Sequence, residues 1–227
     1  MALKKPTADD ERLETAANDA FYPANLTVCM WVRCDTITTN GRFYHGVEVS
    51  VGGCLWRIDG SDRWNLLYAK SGGTGYVNVA RSDGPSAGVW YFTLASVTSS
   101  GSYVMRVDGS RTTGSGAALV SGVATASPTI GAKADGGNPA TCTIADFRFY
   151  SRALSQAEED AIQHGHGQDG IAEGLVSRLQ LLDREPGATA DSTAPVDSTR
   201  AQTWATTGIG DALSYEPGPF PIRRRAR

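Results

Sequence analysis

The sequence predicts an all-β fold, a two-sheet antiparallel sandwich with one short helix and an extension at each end. Strand-like segments follow one another over residues 26–150, and turn residues separate them at spacings of roughly 8–14, which is typical of sandwiches. The 26 glycines suit this fold, because glycine supplies the positive-φ positions that tight turns need. A chain of 227 residues can bury a full core without disulfides or metals.

The first extension covers residues 1–24 and is predicted to be an N-terminal arm. Residues 7–20 predict a helix, because Thr7 is a suitable N-cap and acidic residues fill the first turn, where the helix dipole favours them. The apolar face of this helix is thin, so it needs a partner. The first twenty residues lack the apolar centre of a signal peptide, and we therefore expect synthesis in the cytoplasm without a leader.

The central segment, residues 25–168, carries the strand signals. Residues 26–33 place large side chains on both faces, as in the middle of a sandwich sheet. Further strands are predicted at 43–51, 54–58, 64–68, 76–80, 89–98, 102–108, 129–132 and 142–150, with an exposed connection at 114–128. A helix is predicted to begin at Ser155, because Ser155 and Glu158 form a capping box and Gly165 lies beyond its end.

The second extension, residues 169–227, holds one apolar segment at 174–182 before a polar stretch and a proline-rich end. Its last residues are basic: Arg223, Arg224, Arg225 and Arg227. We expect these arginines either to bind an acidic partner surface or to be solvated. The net charge of −3 gives no reason to expect specific nucleic-acid binding, and no apolar run is long enough to cross a membrane.

Four blocks of sequence resemble the laminin G-like domains of the concanavalin A-like lectin/glucanase superfamily. They are TVCMWVR at 27–33, WYFTL at 90–94, YVMRVDG at 103–109 and IADFRFYSRALSQAE at 144–158. The resemblance implies a concanavalin A-like jelly roll for residues 25–168, with Trp31 and Trp90 in its core. The four cysteines have no zinc-site spacing, and we expect free thiols, with Cys29 and Cys142 buried in strands.

A weaker resemblance lies in the second extension. Residues 174–176, 191–192 and 208–215 are similar to the segment that normally opens such a domain. Three interpretations are open: a circularly permuted strand that completes the sandwich, a truncated second copy, and a chance match. We favour the first, because a missing opening strand would leave a sheet edge unprotected.

Catalytic motifs are absent from the sequence. Glucanases of this superfamily need two carboxylates on one strand, whereas Glu48 stands alone on its predicted strand. His164 and His166 follow the predicted helix without a carboxylate cluster, which is a weak signal for a metal. We therefore expect a protein that is not an enzyme.

Binding residues are suggested by the resemblance and by residue type. Relatives often hold Ca²⁺ with loop oxygens, and the candidates here are Asp135, Asn138, Asp59 and Asp62, although turns favour the same residue types. Exposed aromatic rings stack on sugars, and the candidates are Tyr44, Trp56, Trp64, Tyr68 and Tyr76.

Two functional hypotheses follow. The first is a structural or decoration protein of a tailed-phage virion, whose extensions contact neighbouring subunits in an oligomeric assembly. The missing leader, the free cysteines and the polar extensions motivate it. The second is a lectin module that binds surface glycans, with Ca²⁺ as a candidate cofactor.

Overall fold

In the computed structural model, the described residues are 2–4, 12–72, 75–133, 135–165, 168–179, 204–207 and 214–216. They form two antiparallel sheets, packed face to face, and one α-helix, which confirms the predicted all-β sandwich. The strands are β1 Ala2–Lys4, β2 Arg12–Thr15, β3 Leu26–Cys34, β4 Arg42–Glu48, β5 Gly52–Ile58, β6 Trp64–Ala69, β7 Tyr76–Ala80, β8 Trp90–Val97, β9 Ser102–Val107, β10 Ser110–Ser115, β11 Thr129–Ile130, β12 Cys142–Tyr150, β13 Leu175–Leu179, β14 Trp204–Thr207 and β15 Ser214–Glu216. The helix, α1, is Gln156–His164.

The strand order places the long central strands β3 and β12 side by side. The first sheet runs β10-β9-β8-β3-β12-β1-β15, and β13 also pairs with β12. The second sheet runs β14-β2-β11-β4-β5-β6-β7. On β3, Val28, Met30 and Val32 face the core between the sheets, whereas Cys29 lies in a separate cluster on the outer side. The period of two along the strand separates these two sets.

Helix α1 covers the outer side of the first sheet. Ser155 is its N-cap and makes the predicted capping box with Glu158, so this prediction is confirmed. Ile162 packs on Phe92 and Leu94 in the outer cluster. Glu159 is fully buried between Arg106 and Arg111, at 3.5 and 3.1 Å. The apolar and charged contacts together close this side of the sandwich.

The N-terminal residues contradict the predicted helix. Residues 12–15 are a strand of the second sheet, with β11 on one edge and β14 on the other. Leu13 points into the core and is buried. Ladder hydrogen bonds on both edges and one well-buried leucine outweigh the local helix signals, because tertiary contacts override weak propensities. Phe21 and Tyr22, which follow, are also buried, so the sandwich begins well before residue 25.

Strands from the C-terminal residues extend both sheets. β13 pairs with β12, β14 pairs with β2, and β15 pairs with β1. β1 and β13 lie along the same edge of β12, β1 opposite Thr143 and Ile144, and β13 opposite 147–150. The boundary predicted at residue 168 therefore cuts through the first sheet.

All four cysteines are free, as predicted, and all four are buried, whereas burial was predicted only for Cys29 and Cys142. Burial raises the pKa of the Cys29 and Cys34 thiols to about 12. Thiols of this kind are inert, because the thiolate is the reactive form. None of the helices in the described part of the chain is long and apolar enough to cross a membrane.

Candidate ligand-binding face

The predicted sugar-stacking aromatics are mostly core residues. Tyr44, Trp56, Trp64 and Tyr68 are fully buried, so their assignment to a carbohydrate surface is wrong. Trp56 and Trp64 stack on each other at 6.0 Å, and the Tyr68 hydroxyl donates to the Gly101 carbonyl. They lie on the inner side of β4, β5 and β6, where the sheets meet. The sequence alone does not show which side of these strands faces inward.

Tyr76 is the exception among the five aromatics. It lies on the edge strand β7 and is 41% exposed. Its partner across the sheet is Ala69 at the end of β6. A tyrosine in this position can offer its ring to a ligand, because no larger side chain stands opposite it.

Tyr76 belongs to a polar surface that we call the outer face, the side of β4 to β7 turned away from the first sheet. The name is kept for seven side chains on this side, Tyr76 together with Arg42, His45, Arg57, Asn65, Leu67 and Asn78, which alternate along their strands with core residues. On the same side, Val47, Leu55 and Ala69 are buried in an apolar cluster with Val120. A register shift between Arg42 and Tyr44 explains the pattern on β4. This bulge turns both Phe43 and Tyr44 inward and leaves Arg42 and His45 outside.

A chain of hydrogen bonds crosses three strands of the outer face. Arg57 Nε donates to Asn65 Oδ1 at 2.8 Å, and Asn65 Nδ2 donates to Asn78 Oδ1 at 2.6 Å and to the Val79 carbonyl at 2.9 Å. Asn65 is fully buried, whereas Asn78 is exposed. The buried amide thus fixes the orientation of two accessible polar groups.

The electrostatics of the outer face are positive. Burial, and then the neighbouring charge of Arg57, lower the pKa of the Arg42 guanidinium, and burial likewise lowers the pKa of Arg57. Burial, with Arg42 and Lys133 nearby, lowers the pKa of His45 to about 4, so His45 is neutral at pH 7. Arg42 Nε and His45 Nδ1 are both buried without a hydrogen-bond partner among the described residues.

A family model of the laminin G type, described as the concanavalin A-like lectin/glucanases superfamily, matches residues 8–158. The chain belongs to this superfamily. The comparison with curated proteins finds no match. The two sheets and the single helix agree with the family, whose description covers both lectins and glucanases.

Solved structures of the same fold are similar in shape and distant in sequence. A candidate carbohydrate-binding protein from Bacteroides ovatus is 17% identical with a TM-score of 0.70, and the match covers 98% of this chain and 61% of that one. A heptameric pentraxin from Limulus polyphemus is 14% identical (TM-score 0.56; 76% and 87% covered). Domain 4 of an extracellular arabinanase from Geobacillus stearothermophilus, in complex with arabinotriose, is 18% identical (TM-score 0.54; 65% and 70% covered). At these identities the likeness shows the fold, and the chain spans less than two thirds of the Bacteroides protein.

The predicted calcium residues of this superfamily member lie on two loops near Arg42. Asp59 is buried, and its carboxylate accepts from the Ser61 and Arg63 backbone N–H groups and from the Arg63 side chain. Asp62 accepts from the Thr39 hydroxyl. These contacts hold the 59–63 turn, so the carboxylates fit a structural role better than a cation site. Among the described residues, no group of three or more His, Cys, Asp or Glu is placed to hold a metal.

In the second predicted calcium loop, oxygen atoms also accept hydrogen bonds from the protein. Asp135 pairs with Lys133 and accepts from the Gly137 backbone N–H at 2.9 Å. Asn138 is exposed and has a φ of 53°, and its backbone carbonyl accepts from the Arg42 backbone N–H at 3.2 Å. Asn tolerates this left-handed conformation better than most residues. A calcium role for the four residues stays a prediction.

The residues considered for catalysis have structural partners. Glu48 accepts from the Ala126 backbone N–H at 3.2 Å and holds the 117–127 connection. His164 bonds through Nδ1 to the Asp160 carbonyl at 2.8 Å, and His166 lies outside the described residues. Trp31 and Trp90, which the resemblance places in the core, are only partly buried, and Trp31 packs against the outer cluster of the first sheet. None of these contacts forms part of the outer face.

The predicted partner-binding arginines, Arg223, Arg224, Arg225 and Arg227, lie outside the described residues. The described parts of both extensions form strands within the chain's own sheets. This use of β1, β14 and β15 removes one motive for the virion hypothesis, in which the extensions reach neighbouring subunits. That hypothesis stays a prediction.

Sequence reasoning missed Arg42, His45, Arg57, Asn65 and Asn78. A signal was present, because polar residues alternate with apolar ones in WRI at 56–58 and YVNVA at 76–80. The bulge at Phe43 and Tyr44 breaks the alternation on β4 and hides it there. The choice of aromatic residues as binding candidates therefore selected the inner side of the same strands.

Proposed function

We propose that the chain is a non-catalytic carbohydrate-binding domain whose binding surface is the outer face. The observation that carries this proposal is the difference between the two sheets. Helix α1 and Ile171 cover the outer side of the first sheet. On the second sheet, Val120 covers only the cluster of Val47, Leu55 and Ala69. In the described residues no helix covers this sheet, and an exposed tyrosine, an exposed asparagine and a half-buried arginine remain on its surface.

The residue types of the outer face suit a saccharide. Tyr76 offers an aromatic ring to the apolar side of a sugar, and Asn78 and Arg57 offer hydrogen bonds to its hydroxyl groups. Asn65 holds these polar groups in place before any ligand arrives. Binding is stronger when the receptor is already ordered, because less conformational entropy is lost.

The same surface does not suit glycoside hydrolysis. That reaction needs two carboxyl groups on either side of the bond to be broken. The seven side chains of the outer face include no Asp or Glu. The superfamily and its structural neighbours, one of which is described with bound arabinotriose, support the choice of a carbohydrate as ligand.

A glycan array, probed with and without a chelator, tests the proposal. We expect binding to at least one saccharide, and the chelator arm decides whether Ca²⁺ takes part. For that saccharide, Tyr76→Ala should weaken binding about tenfold, which corresponds to about 1.4 kcal/mol. Val89→Ala is the matched control, because Val89 is 44% exposed and lies in the loop before β8 of the first sheet.

Two results contradict the proposal. The first is the absence of binding to every saccharide at millimolar concentration in both arms. The second is saccharide binding that Tyr76→Ala leaves unchanged and Val89→Ala weakens, which would place the site on the other sheet.

A further inference from the structure

Arg42 and Arg57 differ from every other arginine in the described part of the chain. The other nine each lie within 3.5 Å of a carboxylate oxygen: Arg12, Arg33, Arg63, Arg81, Arg106, Arg111, Arg148, Arg152 and Arg178. Arg42 makes no side-chain hydrogen bond or ion pair with a described residue. Within the described ranges, Arg57 bonds only to neutral amides, Asn65 at 2.8 Å and Asn40 at 3.5 Å.

The two arginines stand directly opposite each other on β4 and β5. Opposed positions bring the side-chain bases within about 5 Å, and like charges there destabilise a sheet. Partial burial adds to the cost, which is why the pKa of both groups is lowered. The free protein gains no stability from two opposed arginines, so we expect the arrangement to favour the binding of a ligand.

Polar atoms beside this pair lack partners within the described part of the fold. Arg42 Nε and the neighbouring His45 Nδ1 are buried and have no partner among the described residues. An unsatisfied buried polar group costs about 1–3 kcal/mol.

Among the described residues, the carboxylates that act on the two arginines are already engaged. Asp59 lies within electrostatic range of Arg57, but its carboxylate is held by Arg63 at 2.7 Å. Asp135 lies within electrostatic range of both Arg42 and His45. Its carboxylate instead pairs with Lys133 and accepts from the Gly137 backbone N–H. Asp135 therefore leaves the arginine pair positively charged.

We propose that Arg42 and Arg57 form a receptor for the anionic group of an acidic saccharide, either the carboxylate of a uronic acid or a sulfate ester. This inference rests on the proposed function and adds the class of sugar. Guanidinium groups bind such anions through two parallel N–H donors, and the planar fork fits both groups. Tyr76 and Asn78 lie on the same face and hold the sugar that carries the anion.

Calorimetric titration of the full chain with two matched pairs tests the inference. The first pair is oligogalacturonate and its methyl ester, and the second is dextran sulfate and dextran. Sodium sulfate alone is the fifth ligand. We expect one anionic saccharide to bind at least ten times more tightly than its neutral counterpart, and the pair that shows this identifies the anion.

Two variants and a charge control locate the effect. Arg42→Gln and Arg57→Gln should each weaken binding of the anionic saccharide by about 10- to 100-fold, as for a lost hydrogen bond to a charged group. Lys70→Gln removes the same charge immediately after β6, at the end of that strand away from Asn65, and should leave binding unchanged. Equal losses of affinity in all three variants would show that the effect depends on net charge alone, and this result would overturn the inference.

Each remaining outcome separates the inference from the proposed function. Equal binding of charged and neutral saccharides, unchanged in Arg42→Gln, overturns the inference and leaves carbohydrate binding standing. If sodium sulfate binds with the same affinity as dextran sulfate, and Tyr76→Ala does not change that affinity, the arginine pair binds anions and the proposal that the ligand is a saccharide is overturned. The absence of binding to all five ligands overturns both.

The melting temperature of the free protein gives an independent readout. Removal of one of two opposed like charges should leave the melting temperature of Arg42→Gln unchanged or higher, while its binding falls. Replacement of an arginine that only stabilises the fold lowers the melting temperature, so a clear drop in the melting temperature of Arg42→Gln would contradict the inference.

Discussion

Neutral His45 is held among positive charges on the outer face. Burial, Arg42 and Lys133 all favour the uncharged ring, and its pKa falls from 6.5 to about 4. In the unfolded chain His45 is protonated as the pH falls through about 6.5, whereas in the folded chain it is protonated only near pH 4. The contribution of His45 to stability is therefore complete above pH 6.5 and is lost as the pH falls towards 4.

This shift predicts that the free energy of unfolding falls between pH 6.5 and pH 5, before most carboxylates titrate. The full contribution of His45 by pH 4 is about 3 kcal/mol. His45→Gln should remove most of this dependence, since it has no group to protonate. Urea denaturation at each pH measures the effect, and a variant whose pH dependence equals that of the wild type would contradict the assignment.

At the scale of elements, β12 and β13 are joined by a buried ionic cluster. Arg148 is fully buried and pairs with Asp146 at 2.6 Å and with Asp169 at 2.7 Å. Arg178 on β13 reaches Asp146 at 2.8 Å. Burial opposes ionisation of Asp169, but hydrogen bonds from Arg148 prevail and keep the pKa of that carboxyl below its usual value.

Arg148→Met should lower the free energy of unfolding by about 3–5 kcal/mol, because it leaves buried carboxylates without their main counter-charge. Arg63→Met is the control: its guanidinium pairs with Asp59 but is 44% exposed, and such a pair is worth about 0–1 kcal/mol. Equilibrium denaturation in urea compares the two. Similar small losses in both variants would show that the buried cluster adds no more than a surface pair.

The elements that could be predicted from sequence are those with local signals. β12 and α1 were found because strand alternation and a capping box each act within a few residues. β10 was missed because its residues, SRTTGS, are polar or small and form a strand only by pairing with β9. β2 was predicted as a helix because its two partners, β11 and β14, come from more than a hundred residues away.

The candidate site was harder to predict than the fold for a related reason. Large side chains lie on both sides of β4, β5 and β6, so composition alone does not separate the inner side from the outer. One bulge at Phe43 and Tyr44 also shifts the register. A shift of one residue exchanges the two sides of a strand, so the bulge hides the inward position of Tyr44. Trp56, Trp64 and Tyr68 were assigned to the surface by residue type.

At the scale of the whole molecule, the sandwich depends on residues beyond the family match. Leu179 is fully buried in the main core, and Asp169 supplies half of the counter-charge of Arg148. A chain that ends at residue 168 loses both, together with β13. We expect it to aggregate or to unfold without a cooperative transition, whereas a chain that ends at residue 179 should unfold cooperatively.

Circular dichroism during thermal unfolding distinguishes the two chains. A cooperative transition in the chain that ends at 168, at a temperature close to that of the longer one, would contradict the role given to β13. Failure of both chains would instead show that β14 and β15 are required as well.

The shared edge of β12 also fixes an order of events during translation. Ribosomes make β12 before Asp169 and β13, so a nascent chain carries Arg148 with Asp146 as its only counter-charge from the final cluster. The partners of that edge arrive from opposite ends of the polypeptide, β1 first and β13 last. The first sheet therefore closes only after most of the message has been read, and until then the open edge is the place where a chaperone or another nascent chain would bind.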